Sequence, residues 1–205
     1  FKNSILLFKI MIEKRDDELR ENTKKLSIIE GGFYGIHEGV GLKYIAPFAL
    51  AIGKGNPYVI TFLAILHSVP SLIGNLSQLY TNHVINKFGR KHILAFFVIL
   101  QSLAWFSVLL SGLLFLKFNF NSNLSLILLV ISYTFLVSFG SFINPVWTSL
   151  MKDIVVDKNG YYFGRRTMIS GFVALVSSLL AGIFLDKLSQ NKILMGFSLL
   201  FFFFI

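Results

Sequence analysis

The sequence predicts an all-α, polytopic membrane protein. Three observations carry that expectation. The chain is 55% hydrophobic and only 14% charged. Its apolar residues gather into blocks, several of which reach or exceed the roughly 20 residues a helix needs to cross a bilayer. Its basic residues concentrate in alternate gaps between those blocks. A soluble domain of 205 residues can bury a core, but it needs far more polar surface than this. Mean hydropathy is +0.71.

The elements follow in order. Residues 1–26, "FKNSILLFKIMIEKRDDELRENTKKL", hold a short apolar stretch and then a dense mixture of charges. This segment is too short and too charged to span, and it lacks the small-residue cleavage site of a signal peptide. It reads as a cytoplasmic, helical amino-terminal arm lying partly on the membrane surface. Residues 27–205 read as a six-helix transmembrane bundle. Its spans are expected over 27–52, 58–82, 93–116, 124–150 and 167–186, with a sixth from Ile193. From Ile193 to Ile205 a helix rises only about 20 Å against about 30 Å of hydrocarbon, so the sixth span is expected to be truncated. The chain opens on Phe1 and closes on "FSLLFFFFI", which predicts a fragment of a longer protein.

The net charge of +9 would suggest nucleic acid in a soluble protein, but here it reads as membrane orientation, with no nucleic-acid partner. Links 53–57, 117–123 and 187–192 carry Lys54, Lys117, Lys187 and Lys192. The other side carries Lys2, Lys9, Lys14, Arg15, Arg20, Lys24 and Lys25 of the arm, then Lys87, Arg90 and Lys91, then Lys152, Lys158, Arg165 and Arg166. By the positive-inside rule the amino terminus and links 83–92 and 151–166 are cytoplasmic, which predicts a multi-pass protein of the cell membrane.

The link "NKFGRKH", 86–92, is the most specific stretch. A glycine in so short a connection permits a tight turn. The basic residues after it can face helix carbonyl ends and lipid headgroups. Here the chain resembles the major facilitator superfamily, whose signature between the second and third spans reads roughly Gly-x-Leu-Ala-Asp-Arg-x-Gly-Arg-Lys. The matching stretch is "NHVINKFGRK", 82–91, with Lys87, Gly89, Arg90 and Lys91 agreeing in type and spacing and Val84 standing for Leu. Asn82 stands where glycine is usual and Asn86 where aspartate is usual. In the family that carboxylate helps to pin the cytoplasmic gate in the outward-open state. Asn86 accepts and donates hydrogen bonds but carries no charge. The segment "PVWTSLMKDIVVDKNGYYFGRR", 145–166, is similar to the family's link between spans four and five, which makes Arg165 and Arg166 gate candidates beside a plainer orienting role. The resemblance covers about 27–205. It implies half of a 12-helix facilitator fold, the carboxy-terminal half being expected on the same chain.

Ionisable groups at bilayer depth are expensive and read as functional candidates. The first span holds Glu30, near its cytoplasmic end, and then His37 and Glu38. The last two lie about ten residues in, roughly 15 Å, close to the midplane. The resemblance implies that the first span lines the central cavity. Glu38 then reads as a ligand for a proton or sodium and His37 as a second titrating group. The plainer reading is a structural hydrogen bond, or pairing with Lys43, which otherwise snorkels to the outer interface. Gly31, Gly32, Gly35, Gly39 and Gly41 read as close packing before a gating hinge. Asn75 and Gln78 on the second span, and Tyr133 on the fourth, complete the candidate solute pathway. Trp147 reads as an interfacial anchor and Pro145 as a kink.

The expected function is secondary active transport of a small solute by alternating access between two six-helix bundles, driven by an ion or solute gradient. No nucleotide-binding loop, Gly-x-x-x-x-Gly-Lys-Ser/Thr, is present. The fifth span lacks the Gly-Pro-rich pattern of the family's drug/proton antiporters. There is no cysteine, and His37, His67, His83 and His92 are scattered in depth, so neither an enzyme, a metal site nor a cofactor is expected. The alternatives are a polytopic protein that does not transport, or a six-helix half that assembles with a partner.

Overall fold

The computed structural model describes residues 2–118, 121–155, 159–189 and 192–204, with side chains from residue 17 onward. Among these residues there are helices and turns and no strands. Four helices are long and apolar enough to cross a membrane: α3 (Val59–Gln78), α5 (Arg90–Phe118), α6 (Ser122–Ile154) and α7 (Asn159–Asp186). They cover the cores of the expected spans two to five.

The arm and the start of the first span form one helix, α1 (Lys2–Ile36). Side chains 17–22 are exposed, and the first buried one is Ser27. On the exposed part Lys24 Nζ donates to a Glu21 oxygen at 2.7 Å, one turn away. That hydrogen bond and the lysine charge hold the Glu21 carboxyl below its ordinary range.

The first span is not the single helix expected over 27–52. A π-helical turn, His37–Gly41, and a 3-10 turn, Leu42–Tyr44, separate α1 from α2 (Ile45–Ile52). The cause lies in the sequence. Pro47 has no N–H for the carbonyl of Lys43 and its ring crowds that carbonyl, which weakens a regular helix at this point. Gly39 and Gly41 give the backbone just upstream the latitude to change pitch.

Two expected links are also helical. Residues 81–88 form α4, and only Gly89, at φ +78° and ψ 146°, interrupts the chain before α5 begins at Arg90. The expected link 151–166 shrinks because α7 begins at Asn159, so Arg165 and Arg166 lie on that helix rather than before it. Packing drives the extension: Tyr162 is buried against Met151 and Val155 and draws the "YYFG" segment into a small apolar cluster with Ile28 and Trp147. Lys158 lies outside the described residues. The sixth expected span is α8 (Ile193–Phe202).

The main core joins α2, α5, α6 and α8 around Phe48, Trp105, Val108, Leu129, Leu136 and Phe201. α6 packs on α5 and α3, and α1 packs on α7. The α1–α7 seam is very close. A Cβ at Gly35 would lie 2.3 Å from the Ser170 carbonyl, and one at Gly39 2.3 Å from the Ala174 carbonyl. Meanwhile Leu72, Phe96, Leu103, Phe172 and Leu179 stay exposed. Apolar side chains exposed on so many faces suit lipid rather than water.

Candidate functional site

Two arginines fasten the end of the bundle that carries Gly89. Arg90, the first residue of α5, reaches the last turns of α6. Its Nη1 donates to Ser149 Oγ at 3.0 Å and lies 2.7 Å from Asp153 Oδ2. Arg166 does the same between α7 and α1. Its Nη2 lies 2.5 Å from Glu30 Oε2, its Nε donates to the Ser27 carbonyl at 3.2 Å, and its guanidinium stacks 4.0 Å from the centre of the Trp147 ring. Gly31 leaves room for its stem, since a Cβ there would lie 3.0 Å from Arg166 Cγ.

Deeper in, Trp105 Nε1–H donates to His37 Nε2 at 2.8 Å. A tryptophan N–H only donates, so Nε2 must hold a lone pair and the proton sits on Nδ1. His37 is therefore a neutral imidazole here, and its Nδ1 has no partner among the described residues. The rings of Trp105 and Phe204 pack edge-on against it.

Between α1, α5, α6 and α7 lies a cavity of about 580 Å³. Glu30, Gln101, Asn144 and Thr148, and Arg166 stand in its wall on those four helices respectively, and His37 joins them from the π-helical turn that follows α1. Pro145 removes the N–H that would bind the carbonyl of Ser141, a residue of the same wall. A second cleft of about 540 Å³ shares Asn144 and Thr148 with the first and opens beside Gln78, Lys152 and Asp153. Asn144 and Thr148 of α6 thus stand between the two.

The expected pathway residues separate. Glu30 and His37 reach the large cavity and Gln78 the second cleft, whereas Glu38, Asn75 and Tyr133 line neither. Glu38 sits half-buried on the π-helical turn, and its side chain makes no hydrogen bond or ion pair among the described residues, Lys43 included. Asn75 is exposed on α3, and Tyr133 packs against the main core. Of the gate motif, Arg90 makes the bridging contacts. Asn82, Asn86, Lys91 and Arg165 are exposed, and the Lys87 ammonium lies 5.3 Å from the Phe88 ring centre.

Sequence reasoning missed the partners. Asp153 and Ser149, which receive Arg90, lie in the 145–166 stretch but were not singled out, and Trp105, which orients His37, carried no motif. Gln101 and Thr148 carry no signal in the sequence that marks them as wall residues. Trp147, expected at an interface, stacks against Arg166. Among the described residues no three carboxylate or imidazole side chains converge as a metal site. No protein-family profile, no curated protein and no solved structure matches the chain.

Proposed function

We propose that this chain is the amino-terminal six-helix half of a major facilitator superfamily transporter, which moves a small solute by alternating access. The observation that carries the reading is the polar cavity inside an otherwise apolar bundle. Unsatisfied polar groups at that depth destabilise a membrane protein, and a solute pathway is the ordinary reason to keep them. The placement of Gly89 and Arg90 supports the family assignment. A glycine-only backbone joint followed by an arginine that crosses to α6 is a fastening that can open. Its strength suits that role. Asp153 is 61% exposed, so the ion pair contributes only about 0–1 kcal/mol, small enough for a ligand to offset. Lys87, Arg90 and Lys91 at that end favour its being cytoplasmic, with the amino terminus on the same side of a cell membrane. Glu38, a half-buried carboxylate without a side-chain partner among the described residues, is the group proposed to take the coupling proton or sodium.

The test is flux. The full-length protein, reconstituted in sealed vesicles, is assayed for solute counterflow and for uptake under proton and sodium gradients. Saturable uptake that a gradient drives, and that Glu38→Gln uncouples while counterflow persists, is the expected result. A folded protein that moves no solute in either mode would refute transport and leave the non-transporting reading.

A further inference from the structure

The balance of charge in the cavity wall points to a substrate class. We infer that the cavity takes an uncharged, hydroxyl-rich solute of about monosaccharide to disaccharide size. The inference rests on the transport reading above.

The first part of the argument is electrostatic. The wall holds one acid, Glu30, and one base that is always charged, Arg166, and they are paired with each other at 2.5 Å. His37 is neutral, because an imidazolium has no lone pair with which to accept from Trp105. The wall therefore offers no uncompensated charge. An anionic solute would have to draw Arg166 away from Glu30, the Ser27 carbonyl and the Trp147 ring together. A cationic one would have to part Glu30 from the same guanidinium. Either would otherwise find no free charge of the opposite sign in the wall, whereas an uncharged solute needs none.

The second part concerns what the wall does offer. Gln101, Asn144, Thr148 and Thr167 each both donate and accept hydrogen bonds. Gly140 makes room for the first of these, since a Cβ there would lie 3.0 Å from Gln101 Nε2. Pro145 leaves the Ser141 carbonyl without its helical donor. Hydroxyl groups are the ligand chemistry that matches such a wall, because each can donate to one neighbour and accept from the next. The volume, about 580 Å³, is far more than an ion needs and lies in the range of small-molecule sites.

The experiment is counterflow with the full-length protein in sealed vesicles. The probes are glucose, sorbitol, inositol and sucrose, set against gluconate, glucosamine, glutamate and lysine. At least one neutral polyol should exchange, about tenfold or more faster than gluconate or glucosamine, as expected where the wall offers no free charge of the opposite sign. Asn144→Leu and Thr148→Val should each raise KM for it by about tenfold, the worth of one hydrogen bond, and Asn144→Gln and Thr148→Ser should recover part of the loss. If a charged probe exchanges as fast as any polyol, the substrate class is overturned and transport stands. If the variants leave KM unchanged while a polyol still exchanges, the assigned wall is overturned. If folded protein moves none of the eight probes, this inference falls, and a gradient-driven flux of any other solute then shows that the transport reading survives it.

Discussion

Replacing Arg166 by alanine should destabilise the bundle far more than neutralising its ionic partner, Glu30. The side chain makes three kinds of contact, and their environments set their weights. The Nε–H bond to the Ser27 carbonyl, at 3.2 Å beside a buried residue, is charge-assisted and contributes about 1.5–3 kcal/mol. The guanidinium over Trp147, 4.0 Å from the ring centre, contributes about 0.5–2 kcal/mol. The ion pair with Glu30 is the least of them. The carboxylate is 51% exposed and water screens the pair, which leaves about 0–1 kcal/mol. The contacts share one rigid group and do not add fully, so Arg166→Ala should cost about 2–4 kcal/mol. Glu30→Gln should cost no more than about 1 kcal/mol, and Arg166→Lys should fall between the two, because an ammonium cannot stack and bridge at once. The assay is reversible unfolding of the purified protein in detergent micelles, run as a double-mutant cycle on residues 30 and 166. A Glu30→Gln cost equal to that of Arg166→Ala, or a coupling energy above about 2 kcal/mol, would show that the ion pair dominates and would refute the reasoning.

Three further predictions concern backbone and core. Gly89→Ala should cost about 1–3 kcal/mol, read as a lowered melting temperature, because φ +78° with ψ 146° is a conformation nearly reserved for glycine. Gly39→Ala and Gly32→Ala should differ in sign. The first puts a methyl 2.3 Å from the Ala174 carbonyl and should lose about 1–3 kcal/mol by forcing α1 off α7. The second meets nothing within 4 Å and should gain up to about 1 kcal/mol from helix propensity, so equal unfolding midpoints would overturn the seam. Trp105→Phe should leave His37 Nε2 without its donor and cost about 1–3 kcal/mol. In the unmutated protein, nitrogen NMR of His37 should show the proton on Nδ1, and a proton on Nε2 would exclude the Trp105 bond.

How far the site was legible varied by residue. Glycine at 89 was readable as a turn because the need is local: two helices meet with one residue between them. His37 was placed at depth by counting rise, which is also local. What it does there was not readable, because its partner Trp105 lies 68 positions away. Arg166 shows the same limit. Ser27 and Glu30, which it binds, lie 139 and 136 positions away. The expected links 83–92 and 151–166 became mostly helix for a related reason. Polar stretches between apolar blocks resemble loops by composition, yet Tyr162 gained a buried cluster by staying helical.

The sequence by itself determined the helical class, the positions of four long apolar segments, the clustering of Lys and Arg between apolar segments, and the glycine joint at residue 89. Each of these depends on composition or on spacing within a few residues, which the chain carries in its order. Only the tertiary structure decided that the first span breaks at His37–Gly41, that Glu38 stays outside the cavity while Gln101, Asn144 and Thr148 line it, and that Arg90 and Arg166 tie helix pairs together. Those outcomes depend on which faces of distant helices meet. Close approach of small residues along α1 and α7 settles that geometry, and no periodicity within one helix records it.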